Sequence, residues 1–328
     1  MIQQRIALVT GGAGFIGSHL TEALLERGYI VRVVDNESTG NRGNLAHLAD
    51  KPALEYTRGD VGDDQLIRSL LPGVDEVYHL AAAVGVGLIA KAPIRTIETN
   101  IYPTQLLLAA VYDHHLKGEA IRLYLASSSE VYGKNPTERW AEEDDLVFGS
   151  TTRSRWSYGV SKAIDEFLAL AYWRQHGLPV VVGRFFNVVG PRQVGQYGMV
   201  LPRFIQAALA GESPIVHDDG QQVRCFAHVY DVVRTVLDLV SKNEAQGGVF
   251  NIGSDEPISI LNLARRVVSK IDPDLKINFQ SYSQAYSDDF EDVRSRIPDL
   301  TRLRSTIKLT PKYKLDSTIE DVIAWHRR

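Results

Sequence analysis

The chain has 328 residues, a formal net charge of -4 and a hydrophobic fraction of 44%, which is ordinary for a soluble globular protein with a large core. Its lysines and arginines are dispersed, which argues against a nucleic-acid partner, and no apolar run approaches the roughly 18 residues of a membrane span. One cysteine, Cys225, excludes an internal disulfide and a cysteine-rich metal site. The first strand begins too early for a signal peptide, so we expect a cytoplasmic protein without a bound metal.

A glycine-rich turn joins the first apolar run, residues 5–10, to a helical pattern. Its glycines, Gly11, Gly14 and Gly17, are spaced three apart. Gly11 permits a sharp turn, Gly14 lets a pyrophosphate approach backbone N–H groups, and Gly17 lets the helix pack closely on the strand. Phosphates would then lie at the N-terminus of the helix. The pattern predicts a dinucleotide site, with a tight turn that binds no ligand as the alternative.

An acidic residue closes the second apolar run, which starts at Tyr29 after the helix ends at Gly28. Asp35 lies eighteen positions after Gly17, where a carboxylate accepts hydrogen bonds from both ribose hydroxyls of adenosine. Because the same carboxylate would repel a 2′-phosphate, we predict NAD rather than NADP as the cofactor. Arg42, close by in sequence, keeps the NADP alternative open.

Strands and helices alternate through the first half of the chain, which predicts an α/β fold with a Rossmann-like doubly wound parallel sheet. After about Pro191 the pattern changes to loops, short strands and helices near residues 201–209, 229–241 and 258–270. We therefore expect an NAD-binding domain over residues 1–190 and a smaller α/β substrate lobe over residues 191–328, with some crossing of the chain between them. The polar segment 281–304 is predicted to be a solvated loop.

A tyrosine and a lysine lie four residues apart on one helical face, at Tyr158 and Lys162. An ammonium group favours the phenolate, so Lys162 is expected to lower the pKa of Tyr158 from about 10 and make it a usable base. An exposed surface pair is the alternative. The end of the fifth strand supplies Ser128, whose hydroxyl would bridge Tyr158 and a substrate oxygen, unless it only caps the strand end.

These residues together resemble the extended short-chain dehydrogenases/reductases that act on nucleotide-diphosphate sugars, and the resemblance covers nearly the whole chain. The matching segments are Thr10–Gly17, Gly59–Asp60, His79–Ala82, Asn100, Ser127–Gly133, Tyr158–Lys162 and Arg184–Arg192. The resemblance implies cofactor contacts at Gly11, Gly14, Phe15, Ile16, Gly17, Asp35, Asn36, Asp60, Val61, Leu80, Ala81, Ala82, Asn100, Tyr158 and Lys162. It implies substrate contacts at Asn187, Arg192, Arg224 and Arg296, and arginine guanidinium groups suit a diphosphate.

Members of this family oxidise the sugar at C4 and then differ in how the ketone reacts, as decarboxylases, 4-epimerases or 4,6-dehydratases. The pair Ser129–Glu130 favours chemistry beyond hydride transfer and resembles UDP-glucuronate decarboxylases, although GDP-mannose dehydratases share it. Segments Arg153–Tyr158, Arg224–Phe226 and Phe290–Arg296 are similar to the decarboxylase domain of the bacterial aminoarabinose-lipid pathway. Segment Ala83–Ala90 departs from the pattern, because many decarboxylases have a Ser-Pro-rich stretch there.

The first hypothesis is therefore oxidative decarboxylation of UDP-glucuronate. Tyr158 would be the base for the C4 hydroxyl, with Ser128 orienting it. Ser129, Glu130 and Arg224 would assist the loss of carbon dioxide. The alternatives, in order, are a UDP-hexose or UDP-hexuronate 4-epimerase, an NDP-hexose 4,6-dehydratase, and an NAD-binding regulator without turnover.

The resemblance also implies an oligomeric state. Helices near Arg95–Tyr112 and Ser154–His176 correspond to the helices that form a four-helix dimer interface in this family. We therefore expect a homodimer.

Overall fold

A seven-stranded parallel sheet lies at the centre of the computed structural model, which describes residues 4–83, 93–195, 199–285, 291–308 and 310–327. The strands within these residues are β1 (Ile6–Thr10), β2 (Ile30–Asp35), β3 (Leu54–Arg58), β4 (Glu76–His79), β5 (Arg122–Ser128), β6 (Val180–Phe185), β7 (Val188–Val189), β8 (Ile215–His217), β9 (Val223–Cys225), β10 (Ala227–His228), β11 (Val249–Ile252), β12 (Pro257–Ser259), β13 (Asn278–Gln280) and β14 (Ser295–Arg296).

The helices of the same residues are α1 (Phe15–Glu26), α2 (Asp64–Leu70), α3 (Pro93–His115), α4 (Ser157–His176), α5 (Val200–Leu209), α6 (Val229–Ser241), α7 (Ile260–Ile271), α8 (Tyr282–Ala285), α9 (Thr301–Thr306) and α10 (Leu315–His326). Short 3₁₀ helices span Arg42–Leu48, Ser129–Tyr132, Ser154–Trp156 and Asn243–Ala245. The central sheet has the strand order β11-β6-β5-β4-β1-β2-β3.

The direction of this strand order reverses beside β1, which lies between β2 and β4. Ile6 pairs with Ile30 on one side of β1, and Ala7 pairs with Glu76 on the other. All the strand pairs of the sheet are parallel, so their carboxyl ends meet at one edge. In such folds, ligands bind at that edge where the order reverses. The predicted Rossmann-like doubly wound sheet is confirmed.

Successive residues of β1 enter different cores, because side chains of a strand alternate between the two faces of a sheet. Val9 packs in the core beneath α1 and α6, whereas Leu8 packs in the core that faces α2, α3 and α4. Both faces are therefore covered by helices. This explains why buried strands such as β6, which begins Val-Val-Val, are apolar on both sides.

The second half of the chain returns to the central sheet. β11 pairs with β6, with Val249 opposite Val182, and α6 packs in the same core as α1. Although they follow residue 190, α6 and β11 therefore belong to the central sheet and its helix layer, which is a crossing of the chain of the kind expected from the sequence. The physical reason is the edge of β6, whose backbone N–H and C=O groups are paired by β11.

A smaller lobe is built from α5, α7 and α10, whose apolar faces meet in a third core with Leu201, Leu263 and Ile319. Its short strands form the sheets β12-β9-β14 and β13-β8. The helices expected near residues 201–209, 229–241 and 258–270 are confirmed as α5, α6 and α7. The predicted solvated loop over 281–304 is wrong in its described part, because β14 pairs with β9 and buries Arg296 opposite Arg224.

None of the helices in the described ranges is long and apolar enough to cross a bilayer. The cytoplasmic location expected from the sequence stays a prediction.

Candidate active site

The glycine-rich turn lies between β1 and α1, at the edge of the sheet where ligands are expected. Gly11 has a φ of +70°, and a methyl group there would lie 2.8 Å from the Ala81 nitrogen. A methyl group at Gly17 would overlap with the carbonyl oxygen of Gly11. At Gly14, the only neighbouring atom within 4 Å would be that same oxygen, at 3.1 Å. A side chain would thus clash with the turn at Gly11 and Gly17, whereas at Gly14 it would make one tight contact with a backbone oxygen.

The first turn of α1 fits an anion. Its hydrogen-bond ladder begins with the Ser18 N–H, which donates to the Gly14 carbonyl at 3.0 Å, so the N–H groups of Phe15, Ile16 and Gly17 precede the ladder. The turn contains no acidic side chain, and no side chain caps the helix. Among the described residues, the N–H groups of this first turn therefore have no side-chain cap, which suits a pyrophosphate.

Asp35 ends β2 at the same edge and is almost completely buried. Its carboxylate accepts hydrogen bonds from the backbone N–H groups of Ala13, at 3.0 Å, and Glu37, at 2.8 Å. Burial raises the pKa of Asp35, and these N–H groups oppose that shift. The carboxylate is therefore held beside the glycine turn.

Two further predicted cofactor residues are joined close to Asp35. Asn36 Nδ2 donates to Asp60 Oδ2 at 2.9 Å, and both side chains are exposed, whereas the neighbouring Val61 is buried. Arg42 lies over the ring of Tyr56, with 5.0 Å between guanidinium carbon and ring centroid. Arg42 thus has a partner of its own, which favours the NAD interpretation over the NADP alternative.

The residues that follow β4 connect the glycine turn to α4. The Leu80 and Ala81 N–H groups donate to the carbonyl and hydroxyl oxygens of Thr10, both at 3.2 Å, and Ala82 is half-buried beside them. Asn100 accepts from the Ala83 N–H at 2.8 Å and donates to Ser161 Oγ at 3.1 Å. Asn100 therefore links the segment after β4 to α4 and holds it in position. In the segment Ala83–Ala90, which departs from the family pattern, residues 84–90 lie outside the described residues.

Tyr158 lies in the first turn of α4 and is 8% exposed. Burial raises its pKa well above the ordinary value, the charge of Glu130 adds to the shift, and a hydrogen bond with Ser128 opposes it. Ser128 Oγ also accepts the Glu130 N–H at 3.2 Å and so caps a 3₁₀ helix. Ser127 points elsewhere, donating to Glu166. Ser128 therefore caps the 3₁₀ helix and hydrogen-bonds with Tyr158, and its contact with a substrate oxygen stays a prediction.

Lys162 is buried one turn after Tyr158, and its Nζ donates to Asp165 Oδ2 at 3.1 Å. The expectation that Lys162 lowers the pKa of Tyr158 is not met in this arrangement, because the Lys162 charge is paired with Asp165 and burial dominates at the phenol. Lys162 does act on His79, whose pKa burial and the Lys162 charge lower to about 3. His79 is therefore neutral.

Glu130 lies between two arginines that come from different parts of the chain. Its Oε2 is 2.6 Å from Arg155 Nη1, and its Oε1 accepts from Arg296 Nη1 at 2.5 Å. Burial alone would raise the pKa of Glu130, but the two guanidinium groups lower it to about 2. Glu130 is therefore an ionised carboxylate at neutral pH, beside the buried Ser129.

A second carboxylate, Asp292, continues this set of charges. Arg224 Nη2 donates to both Asp292 oxygens at 3.0 Å, and Arg296 Nη2 lies 3.5 Å from Asp292 Oδ1. We call Arg155, Arg224, Arg296, Glu130 and Asp292 the arginine cluster. Sequence reasoning assigned no role to Arg155 or Asp292, although both lie in segments that the resemblance singled out, Arg153–Tyr158 and Phe290–Arg296.

The two other predicted substrate residues have different partners. Arg192, at a φ of +68°, donates to Glu22 Oε2 at 2.6 Å and to Ser18 Oγ at 3.3 Å on α1. Asn187 Nδ2 donates to the Cys225 carbonyl at 3.0 Å. Arg192 thus contacts α1, the helix at the predicted cofactor site, and is not part of the arginine cluster. The substrate contacts of Asn187 and Arg192 stay predictions.

The fold and this edge define a class of protein: an NAD-dependent enzyme of the extended short-chain dehydrogenase/reductase type. The family model described as GDP-mannose 4,6 dehydratase matches residues 8–322, so the chain belongs to that family of nucleotide-sugar enzymes. The resemblance stated from the sequence is confirmed.

Named relatives fit this class. A UDP-N-acetyl-alpha-D-glucosaminuronate decarboxylase of Bacillus cytotoxicus is 38% identical over 322 residues, covering 98% of this chain and 97% of the relative. UDP-glucuronic acid decarboxylase 1 of Arabidopsis thaliana is 34% identical, covering 94% and 66%. A dTDP-glucose 4,6-dehydratase from Bacillus anthracis, solved in complex with NAD, has a TM-score of 0.85 and 26% identity over 98% and 96% of the two chains. The predicted cofactor is the one that this related structure contains.

Proposed function

We propose that the protein removes the C6 carboxylate of a UDP-hexuronate as carbon dioxide after oxidation at C4. The observation that carries the proposal is the ionised Glu130, held by Arg155 and Arg296 beside Ser128 and Tyr158. A 4-epimerase needs only hydride transfer at C4, and the guanidinium groups that Glu130 positions would have no chemical task in that transfer. The two decarboxylases among the relatives support the same choice.

The first step is the oxidation at C4, in which Tyr158 and Ser128 have different roles. Tyr158 accepts the proton of the C4 hydroxyl, and Ser128, which hydrogen-bonds with it, orients that hydroxyl. NAD, when bound, supplies the acceptor for the hydride that leaves C4. Because burial raises the pKa of Tyr158 and Lys162 is paired with Asp165, proton transfer needs a further positive charge close to the phenolate, which the oxidised nicotinamide ring would supply when NAD is bound.

The second step uses the arginine cluster. With a ketone at C4, the C6 carboxylate belongs to a β-keto acid, so the C5–C6 bond breaks and its electron pair passes into an enolate as carbon dioxide leaves. Preorganised positive charge stabilises a developing enolate, and Arg296 and Arg224 provide that charge. Glu130, with a pKa of about 2, cannot donate a proton in its paired state, so its contribution is to position the guanidinium groups.

The test is the mass of the product from the purified protein with NAD. We would compare UDP-glucuronate, UDP-N-acetylglucosaminuronate, UDP-glucose and GDP-mannose, and expect loss of carbon dioxide from one or both hexuronates. An isomer of unchanged mass would show a 4-epimerase, and loss of water from a neutral hexose would show a dehydratase. No turnover of any substrate would leave an NAD-binding regulator.

We also propose a homodimer through α3 and α4. Apolar side chains lie exposed along these helices, among them Ile94, Ile97, Ile164 and Phe167, the last being 67% exposed. An open groove beside them is lined by residues 144–146, 148, 160, 163, 164 and 167. Burial of such a continuous apolar face would favour association.

The dimer is tested by sedimentation of Phe167→Asp, which places a charge on the proposed interface. We expect dimers for the unmodified chain and monomers for the variant. The matched control is Phe279→Asp, because Phe279 is an exposed phenylalanine of the substrate lobe. Equal masses for the chain and both variants would contradict this interface.

A further inference from the structure

A buried ion pair lies on α4 next to the proposed base. Lys162 Nζ donates to Asp165 Oδ2 at 3.1 Å, and the two side chains are 3% and 1% exposed. Tyr158, Lys162 and Asp165 follow one another at intervals of about one helical turn, so they share one face of α4. The Lys162 ammonium group therefore has a counter-ion one turn further along the helix from Tyr158.

Asp165 also has contacts beyond its own helix. Burial raises its pKa, whereas the charge of Lys162 and a hydrogen bond with Thr104 of α3 lower it. Thr104 Oγ1 lies 3.1 Å from His79 Nε2 at the end of β4, and His79 Nδ1 lies 2.8 Å from Thr10 Oγ1 at the end of β1. The Asp165 carboxylate is therefore held in place by α3 and the strand ends as well as by Lys162.

The charge of Asp165 reaches the phenol of Tyr158. Burial is the largest cause of the raised pKa of Tyr158, the charges of Glu130 and Asp165 add to it, and the hydrogen bond with Ser128 opposes it. Asp165 stands seven residues after Tyr158, which is about 10 Å along the helix axis. Asp165 therefore acts on the phenol through space, without contacting it.

The other titratable groups around the ion pair have partners or are uncharged. Glu166, next to Asp165, lies 2.7 Å from Arg184 Nη2. His79 is neutral, because burial and the Lys162 charge lower its pKa to about 3. Asp165 is thus the carboxylate that binds Lys162, and Glu166 has a different partner.

We infer that Asp165 is a positioning residue, which holds the Lys162 ammonium group in place and weakens its electrostatic action on Tyr158. The inference rests on the proposed role of Tyr158 as the base. Lys162 then supports the phenolate less than an unpaired ammonium group does. The ionisation of Tyr158 consequently depends on the positive charge of the bound cofactor.

The ionisation of Tyr158 tests this role, followed through the ultraviolet absorption of the phenolate in the full chain with NAD. Subtracting the titration of the matching Tyr158→Phe protein isolates the signal of this one phenol. In Asp165→Asn, Tyr158 should ionise about one pH unit lower than in the unmodified chain, the effect of one charge at that distance. Asp113→Asn removes a carboxylate in the last turn of α3, where it pairs with Arg68, and should leave the ionisation unchanged.

Asp165→Glu separates charge from packing. It keeps the carboxylate, so Tyr158 should ionise within about half a pH unit of its value in the unmodified chain. Equal shifts in Asp165→Asn and Asp165→Glu would overturn the inference, because they would show a packing effect. Ionisation of Tyr158 at an unchanged or higher pH in Asp165→Asn would overturn it too.

If Asp165→Asn does not fold, the double substitution Asp165→Asn/Lys162→Met decides instead. It removes both charges of the buried pair, which proteins tolerate better than the loss of one partner. The pH at which Tyr158 ionises should rise by less than about one unit, whereas the loss of an ammonium group that acts unopposed from one turn away would raise it by about two. A rise of more than about one unit would reject the role.

This titration needs no turnover, so it is separate from the proposed reaction. A chain that releases no carbon dioxide, yet ionises Tyr158 at a lower pH in Asp165→Asn, refutes the decarboxylase and keeps the inference. A chain that decarboxylates, yet ionises Tyr158 at the same pH with and without Asp165, refutes the inference and keeps the decarboxylase.

Discussion

At Glu130, burial and two guanidinium groups act on the pKa in opposite directions. Burial raises it, whereas Arg296 and Arg155 lower it, and the result is about 2 against an ordinary value of 4.5. Only 15% of the side chain is exposed, so screening by water is weak. The two ion pairs of Glu130 therefore link three positions that are distant along the chain: Glu130, Arg155 and Arg296.

This ion pairing predicts how stability depends on pH. Because the pKa of Glu130 is lowered on folding, its contribution is present above about pH 4.5 and is lost as the pH falls towards 2. Between about pH 5 and pH 3 the unmodified chain should lose about 2 kcal/mol more of its free energy of unfolding than Glu130→Gln does. Urea denaturation across this range measures the difference.

Glu138→Gln is the control for this comparison, because Glu138 is an exposed glutamate near the same loop. Its pH dependence should follow that of the unmodified chain. Parallel curves for Glu130→Gln and the unmodified chain would contradict the ion pairs.

A second prediction at this scale concerns the hydroxyl of Tyr158. Tyr158→Phe removes the base and should lower kcat by about 10²- to 10⁴-fold, the usual contribution of a general base. The rate of product formation from the accepted nucleotide sugar measures this. Tyr172→Phe removes a hydroxyl from the same helix and should keep its rate. Activity above about a tenth of normal in Tyr158→Phe would argue against the assignment.

The turn between β1 and α1 shows how two glycines of one motif meet different constraints. At Gly17 an added methyl group would overlap with the Gly11 carbonyl, so the constraint is packing within the protein. At Gly14 the backbone is extended, with a φ of -73°, and the space is open apart from one oxygen at 3.1 Å. We therefore expect the main constraint at Gly14 to come from the ligand.

Substitutions at the two glycines should affect different properties, because Gly17→Ala should lower stability and Gly14→Ala should weaken NAD binding. Gly17→Ala should lower the free energy of unfolding by roughly 1–3 kcal/mol, because its methyl group overpacks the turn. Gly14→Ala should change stability little and weaken NAD at least about tenfold, because its methyl group occupies the space for the diphosphate. Urea denaturation and NAD titration measure the two effects. Identical effects of both substitutions on stability and on NAD binding would contradict this division.

Over the whole molecule, one asparagine joins the sheet to the substrate lobe. The Asn251 side chain accepts from the Tyr132 hydroxyl at 2.7 Å and donates to the carbonyls of Trp140 and Asp299. Its backbone N–H donates to Glu142 Oε1 at 2.7 Å. These groups are buried, so they stay satisfied only while both parts of the chain are folded. We therefore expect the sheet and the segments that Asn251 joins to unfold as one cooperative unit.

The crossing of the chain predicts that residues 1–190 do not fold alone. Such a fragment lacks β11 beside β6 and α6 beside α1, so it exposes a strand edge and an apolar face. Near-ultraviolet circular dichroism and urea denaturation should show no cooperative transition, whereas the full chain should unfold in a single one. A fragment that unfolds cooperatively at the same urea concentration as the full chain would contradict the coupling.

The sequence by itself determined the features that depend on residues close together along the chain. The glycine spacing, Asp35 at the end of β2, and Tyr158 and Lys162 on one face of α4 follow from local geometry, and they predict the sheet and its cofactor. Only the tertiary structure decided the arginine cluster, because Arg296 reaches Glu130 across 166 positions. The paired state of Lys162, the partner of Arg192 and the pKa of Glu130 were decided there too. Burial and nearby charges, which set these properties, exist only once distant segments have packed together.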